Sequence, residues 1–486
     1  MIKFYKDLKS TLKTASKLVF VASADSYKNK SYEVLLGDYP ELTSTLEPEL
    51  KKLKSESKGK KLETYTSHKT IREVRFVCLP NKVSRNNSPT CRQAVFEQLQ
   101  NLGSASDIAV VCVLSNKDYY AAFAGAIARH EKLYSRKTGK GTKPKNFHLI
   151  AFDEKAKLIS ANSAVKATAA GVSWAAKMVD TPPEELNPKT FAAAIKKWTK
   201  NEGVKFKEIS GQKLLDESLG GIHAVGRCAT ESPRMVIADY NPKGAKKTIL
   251  LVGKGLTYDS GGLSLKISGS MVGMKCDMGG AAAVVGAFKA LVDCKESFRV
   301  IAIVGAVENA IGPNAYRNDD ILTMHSGKTV EVNNTDAEGR IVLADCVSYG
   351  CRKYQPDLVI DAATLTGAQM IATGLLHAGI VSNRDTVETL AVQTGKETGD
   401  LVCALPFAPE FFKAELASTV ADMRNSVKNR LNAQSSCAAQ FIYNHIEDLD
   451  VPWLHIDLAG PATTASGKGT GYGVSLIAEV ARRFKN

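Results

Sequence analysis

Lys254, Asp259, Lys266, Asp277, Asp336 and Glu338 fall in glycine-bracketed runs, VGKGLTYDSGGLSLK (252–266), MKCDMGG (274–280) and NNTDAEGR (333–340), inside segments that otherwise read as buried. Brought together in an apolar setting, the four carboxylates would repel by roughly 4 kcal/mol per contact at an effective dielectric of about 20. Without neutralising cations they would protonate or splay apart. Two divalent ions supply the missing positive charge, so the pattern points to a two-metal centre.

Holding such a centre requires several elements to converge. With 486 residues and 44% hydrophobic composition, the chain exceeds the usual ceiling for one core and should divide into about two or three domains. The first 150 or so residues alternate apolar strand-like runs (LVFVA, VRFVCLP, DIAVVCVL, FHLIAF) with helical patterns such as AAFAGAIARHEKLY. The alanine-rich, proline-free stretch EKAKLISANSAVKATAAGVSWAAKMVD (154–180) reads as one long helix, stopped by Pro182 and Pro183. Beyond it, strands at MVIADY, TILLVG, RVIAIVGAV, DLVIDAA and WLHIDLA alternate with helices at GGAAAVVGAFKALVD and GRIVLADCVSYGCRKY. The expected fold is α/β with a smaller N-terminal α/β domain over 1–155, a linking helix over 156–180 and a catalytic domain over 181–486. In the last, continuous apolar strands imply a mixed, mostly parallel sheet covered by helices on both faces.

In such sheets ligands collect where strands give way to loops. TILLVG feeds straight into Lys254 and Asp259, which are expected on a flexible loop at the strand end. Asp277 stands before an alanine-rich helix, where its default role is an N-cap. Asp336 and Glu338 are two apart, and an extended backbone would turn both to one face. The run lacks G-x-x-x-x-G-K-[ST] and G-x-G-x-x-G, which argues against nucleotide binding, and HExxH is absent, which excludes a single-ion zincin motif. Carboxylates alone suit magnesium or manganese. A deprotonated lysine among the ligands shifts the balance toward a transition metal.

Composition sets outer bounds. No run of 18 apolar residues occurs, so a membrane span is not expected. The basic N-terminus MIKFYKDLKSTLKTASKLVFVASA weakly resembles an organelle-targeting segment, but reads better as an amphipathic helix leading into a strand. Ten scattered cysteines without CxxC argue for reduced thiols in a cytosol-like compartment, mostly as small core residues. The net charge of +14 concentrates at 50–61, 136–145 and 196–207 without interleaved aromatics, which favours a solvated surface over a nucleic-acid interface.

These motifs resemble the leucyl aminopeptidases, a family of dinuclear zinc exopeptidases. NTDAEGR at 334–340 is similar to that family's signature, and VGKGLTYDSGG, MKCDMGGAAAV, AYRNDDIL, DAATLTGA, LPFAPEF and WLHIDLAGPA occur in its order. The resemblance covers 181–486 well and the N-terminal domain in outline. It implies Lys254, Asp259, Asp277 and Glu338 around a tighter ion and Asp259, Asp336 and Glu338 around a more exchangeable one, with Asp259 and Glu338 bridging. It further implies that Lys266 polarises the scissile carbonyl and that Arg340 holds a bicarbonate acting as general base. Met274, Thr364, Leu365, Gly367, Ala459 and Ala462 would meet the substrate, with Leu365 offering its carbonyl and an apolar pocket suiting leucine or methionine. The implied protein is a cytoplasmic homohexamer that releases an apolar N-terminal residue from peptides. Its ions would be zinc, with manganese or cobalt possible in the exchangeable site. Two readings stand beside it: DNA binding by the basic N-terminal domain, known for some members of the family, and a dimetal phosphohydrolase.

Overall fold

The computed structural model describes all residues except 55, 57, 132, 133, 139–143, 202, 268 and 486. Each of the three basic stretches therefore includes residues outside those described. The chain divides into two compact units, 1–173 with 395–401, and 174–394 with 402–486.

The first unit is built on strands β1 (Ile2–Phe4), β2 (Lys17–Ser23), β3 (Lys60–Tyr65), β4 (Glu73–Leu79), β5 (Asp107–Leu114), β6 (Asn146–Asp153) and β7 (Leu158–Ile159). They form a sheet in the order β1-β6-β5-β2-β4-β3, with β7 on β6. The expected N-terminal amphipathic helix is corrected: Ile2–Phe4 pairs parallel with β6, and only Leu8–Leu12 is helical. An open strand edge offers those first residues backbone partners that a short isolated helix lacks. The long helix is also shorter than expected, Ser163–Asp180. Ahead of it the Asp153 carboxylate accepts the Lys155 and Lys157 amides, closing a turn that folds Leu158–Ile159 back onto β6.

The second unit holds β8 (Val204–Ser210), β9 (Arg234–Tyr240), β10 (Thr248–Asp259), β11 (Arg299–Asn309), β12 (Ile321–Thr323), β13 (Thr329–Glu331), β14 (Leu358–Ala363), β15 (Ala378–Ser382), β16 (Val402–Ala404), β17 (Met423–Arg424) and β18 (Trp453–Asp457). Eight of them form a sheet in the order β16-β15-β18-β14-β10-β11-β9-β8, and β12-β13-β17 form a small one. The central strands β18, β14, β10 and β11 run parallel, with antiparallel pairs at β15/β18, β11/β9 and β9/β8, so the sheet is mixed as expected. The helix Gly279–Asp293 covers one face, where Gly253 lies against Ala281. The helix Glu338–Tyr354 covers the other, packed on Leu250 and Ile303 through Gly350. Both helices are buried along most of their length; the first is apolar nearly throughout, while the second buries Glu338, Arg340, Asp345 and Ser348 among its apolar residues.

Asp345, fully buried on the second helix, accepts the Ile222 amide at 3.0 Å and the His325 amide at 2.8 Å. Its truncation to alanine would strand these donors in an apolar core. Asp345→Ala is expected to lose roughly 3 kcal/mol of stability, read as a lower urea midpoint. An unchanged midpoint would refute that role.

Among the described residues no helix is long and apolar enough to cross a membrane. Among the described residues no disulfide forms, and Cys78, Cys91, Cys112, Cys346, Cys351 and Cys437 are core residues.

Candidate active site

Lys254 and Asp259 do not stand on a loop: both lie within β10, and the turn begins only at Ser260. Five residues apart, they would point to opposite faces of a regular strand. A register shift between Leu256 and Tyr258 in the pairing with β11 absorbs one residue and returns Asp259, opposite Asn309, to the face of Lys254. Asp277 is not an N-cap either. It follows the short turn Met274–Cys276, while Met278 caps the helix and makes no side-chain bond there. Nor is the Asp336–Glu338 segment extended: Asp336 occupies a turn held by the Asn334 side chain, whose oxygen accepts the Asp336 amide at 2.9 Å, and Glu338 opens a helix. The carboxylate at that helix start is favoured by the N-terminal backbone amides.

These positions converge. Lys254 Nζ lies 2.8 Å from Asp277 Oδ2 and 3.0 Å from Glu338 Oε1, and donates to the Thr364 carbonyl at 2.9 Å. Lys266 Nζ lies 2.8 Å from Asp259 Oδ2 and pairs also with Asp336. Oxygens of Asp259, Asp336 and Glu338 fall within 4.8 Å of one another. Lys254, Asp259, Asp277 and Glu338 are each 5% exposed or less, so water does little to screen them. The tight packing also explains Gly339: a Cβ there would meet the Lys254 side chain at 2.5 Å.

The electrostatics follow from burial and charge. Burial, with the Asp259 charge beside it, raises the pKa of Asp277 well above its ordinary value and raises those of Glu338 and Asp336 as well. For Lys254 and Lys266 burial works against the ammonium, but the surrounding carboxylates outweigh it and raise both. Two lysines against four carboxylates leave an excess of two negative charges in a largely buried site, and Glu338 Oε2 has no hydrogen-bond partner. A donor set of that charge and composition fits divalent cations. Arg340 is 4% exposed, burial lowers its pKa to about 10, and its Nε and Nη1 have no partner among the described residues. Orphaned guanidinium donors in a buried position suit a small oxyanion.

Residues 173–478 match the family described as the cytosol aminopeptidase family, catalytic domain, and residues 34–140 match M17 aminopeptidase N-terminal domain 2. The chain belongs to the cytosol aminopeptidase family. It is a metal-dependent aminopeptidase, a peptide hydrolase. A probable aminopeptidase of Homo sapiens is 42% identical over 410 residues, 82% of this chain and 77% of that one. The apo structure of leucyl aminopeptidase from Trypanosoma cruzi superposes with a TM-score of 0.89 at 36% identity, covering 100% of this chain and 97% of the other. Leucyl aminopeptidase from Trypanosoma brucei in complex with bestatin gives a TM-score of 0.89 at 33% identity, covering 99% and 95%.

Around the aminopeptidase centre, Thr364 and Ala462 flank Gly279, two residues beyond Asp277, and Thr364 Oγ1 donates to Asp277 Oδ1 at 2.9 Å. The Leu365 and Ala459 amides both reach Asp457. Met274 shares the turn of Asp277, its carbonyl accepting the Asp277 amide, and Gly367 is exposed at the start of the helix Gly367–Thr373. The motifs do not reveal the residues that support the centre. Asn309 Nδ2 donates to Asp259 Oδ1 at 2.9 Å and to the Thr335 carbonyl at 3.0 Å, and the Tyr316 hydroxyl donates to that carbonyl at 2.6 Å. Thr335 Oγ1 donates to the Gly261 carbonyl at 2.7 Å, tying the two carboxylate loops together. Thr335 and Tyr316 stand in NTDAEGR and AYRNDDIL without an assigned role there, and the signal for Asn309 is its position at the end of the strand beside Asp259's own.

Proposed function

We propose that this aminopeptidase releases an N-terminal, preferably apolar, leucine-like residue from peptides with a free N-terminus, at a centre holding two divalent ions and a bicarbonate. The observation that carries the reading is the buried cluster of four carboxylates around two lysines, with Glu338 Oε2 left without a partner. Lys254, Asp259, Asp277 and Glu338 would hold the tighter ion and Asp259, Asp336 and Glu338 the more exchangeable one. When bound, the ions lower the pKa of water toward neutrality and withdraw electrons from the scissile carbonyl. Zinc is the expected metal, with manganese or cobalt able to serve in the exchangeable site.

The chain's own groups do the rest. Lys266, only 15% exposed at its side chain, stabilises negative charge developing on the carbonyl oxygen. Arg340, whose Nε and Nη1 have no partner among the described residues, would hold a bicarbonate, which would supply a base for a proton of water. Asp259 is aligned by Asn309 and the Gly261 amide, so its orientation is set before substrate arrives. The Leu365 carbonyl receives the substrate backbone. Met274, Thr364, Gly367, Ala459 and Ala462 form the first-residue pocket, whose small and apolar side chains favour leucine or methionine over charged residues. A cytoplasmic homohexamer is the assembly we infer from the family.

Hydrolysis of leucine p-nitroanilide before and after chelation tests the reading. Chelation is expected to abolish the rate, and zinc, manganese or cobalt to restore it, while a phosphate ester stays intact throughout. Full activity in protein stripped of metal, verified by elemental analysis, would overturn it.

A further inference from the structure

Beneath the segment 364–366 lies a buried polar layer to which the ligand assignment gives no task. In the parallel pairing of β14 and β18, Asp361 stands opposite His455 and Ala363 opposite Asp457. Asp361, His455 and Asp457 are each at most 1% exposed. The Asp361 carboxylate lies 2.6 Å from His455 Nδ1 and accepts the Trp453 indole N–H at 2.6 Å. Burial opposes charge on the His455 imidazole, but Asp361, and Asp457 after it, outweigh that and raise its pKa. Burial raises the pKa of Asp457 in turn, while His455 and the donors on its carboxylate work against that, and each buried acid of the layer has hydrogen-bond partners.

Asp457 turns its carboxylate toward the chain leaving β14. Its Oδ1 accepts the backbone amides of Leu365 at 3.1 Å, Thr366 at 3.4 Å and Ala459 at 3.3 Å, and its Oδ2 accepts the Thr366 hydroxyl at 2.6 Å. Leu365 and Thr366 have left the strand, so these amides lack a ladder partner and one side chain gathers them. The neighbouring Thr364 faces the centre: its carbonyl accepts from Lys254 and its hydroxyl donates to Asp277.

We propose that Asp457 is a positioning residue for hydrolysis: it pins the backbone of Leu365 and Thr366 and thereby holds Thr364 against Lys254 and Asp277. The kinetic part rests on the aminopeptidase reading; the pinning does not. Asparagine keeps an oxygen for the amides and can donate to the Thr366 hydroxyl, whereas alanine keeps nothing. In Asp457→Ala, kcat for leucine p-nitroanilide is expected to fall about 10- to 100-fold, the range seen when outer-shell partners of metal ligands are removed. Asp457→Asn should recover most of that loss. Hydrogen exchange on metal-free protein should show the Leu365 and Thr366 amides exchanging faster in Asp457→Ala, but not in Asp457→Asn.

A folded Asp457→Ala protein with native kcat and native exchange would overturn the proposal, and so would an asparagine variant as impaired as the alanine one. Should Asp457→Ala fail to fold, Thr366→Ala, which removes the hydroxyl that donates to Asp457, meets Ser435 and accepts the Gln369 amide but leaves Asp361, His455 and Asp457 in place, must raise exchange at residue 365 as well as at residue 369, or the proposal fails. If the wild-type protein cleaves no aminoacyl amide, the functional reading falls while the exchange measurement still decides the pinning.

Discussion

Replacing Glu338 by alanine is expected to lower kcat by at least about a thousand-fold, a barrier increase of roughly 4 kcal/mol, in a protein that remains folded. Glu338 sits between the parts of the centre: one oxygen pairs with Lys254, the other is buried without a partner among the described residues, and a carboxylate oxygen lies within 4.8 Å of oxygens of Asp259 and Asp336. In the proposed assignment it bridges both ions, so its loss removes a ligand from each. Folding should survive for an electrostatic reason. Burial and neighbouring negative charge already raise its pKa, so removing it relieves repulsion, while Lys254 keeps Asp277 and the Thr364 carbonyl as partners. Metal content, kcat and the thermal midpoint together check this; near-normal turnover would contradict the bridging assignment.

Lys266→Ala is expected to lower kcat by roughly a hundred- to a thousand-fold, the loss seen when a preorganised oxyanion donor is removed. The two variants should part in metal content. Lys266 pairs with Asp259 and Asp336, so its ammonium competes with cations for those oxygens, and its removal should leave occupancy equal or higher. A variant that loses metal in step with activity would mean that Lys266 organises ligands instead of stabilising charge in the reaction. Arg340→Ala should lose less, about tenfold, because bulk water and buffer can replace part of a bicarbonate's role.

Much of this architecture is legible in the amino-acid sequence. The alternation of apolar strands and alanine-rich helices implies the α/β class, because a strand covered on both faces has to be largely apolar, as residues 249–253 of β10, 300–307 of β11 and 358–360 of β14 are. The clustering of Asp259, Asp277, Asp336 and Glu338 is legible because glycines recur beside them, and the structure supplies a cause at Gly261, whose φ is +85° and whose Cβ would meet the Ser264 carbonyl at 2.6 Å. Local geometry is less legible. The sequence pattern suggests a loop for Lys254 and Asp259, a cap for Asp277 and an extended segment for Asp336 and Glu338, yet these residues belong to a bulged strand, a short turn, and a turn leading into a helix.

What the sequence determined by itself was the inventory: which charges occur, that they sit in apolar stretches, and that such charges demand counter-ions. Local chemistry is enough for that, since burying a carboxylate is costly in any fold. Side-chain direction and support come from the packed fold. One extra residue in β10 turns Asp259 to the side of Lys254, Asn309 supports Asp259 from the neighbouring strand, and Asp457 holds the segment beside the centre from a strand distant in sequence. Side-chain direction depends on pairing register, and register is set by contacts between strands that no single segment encodes.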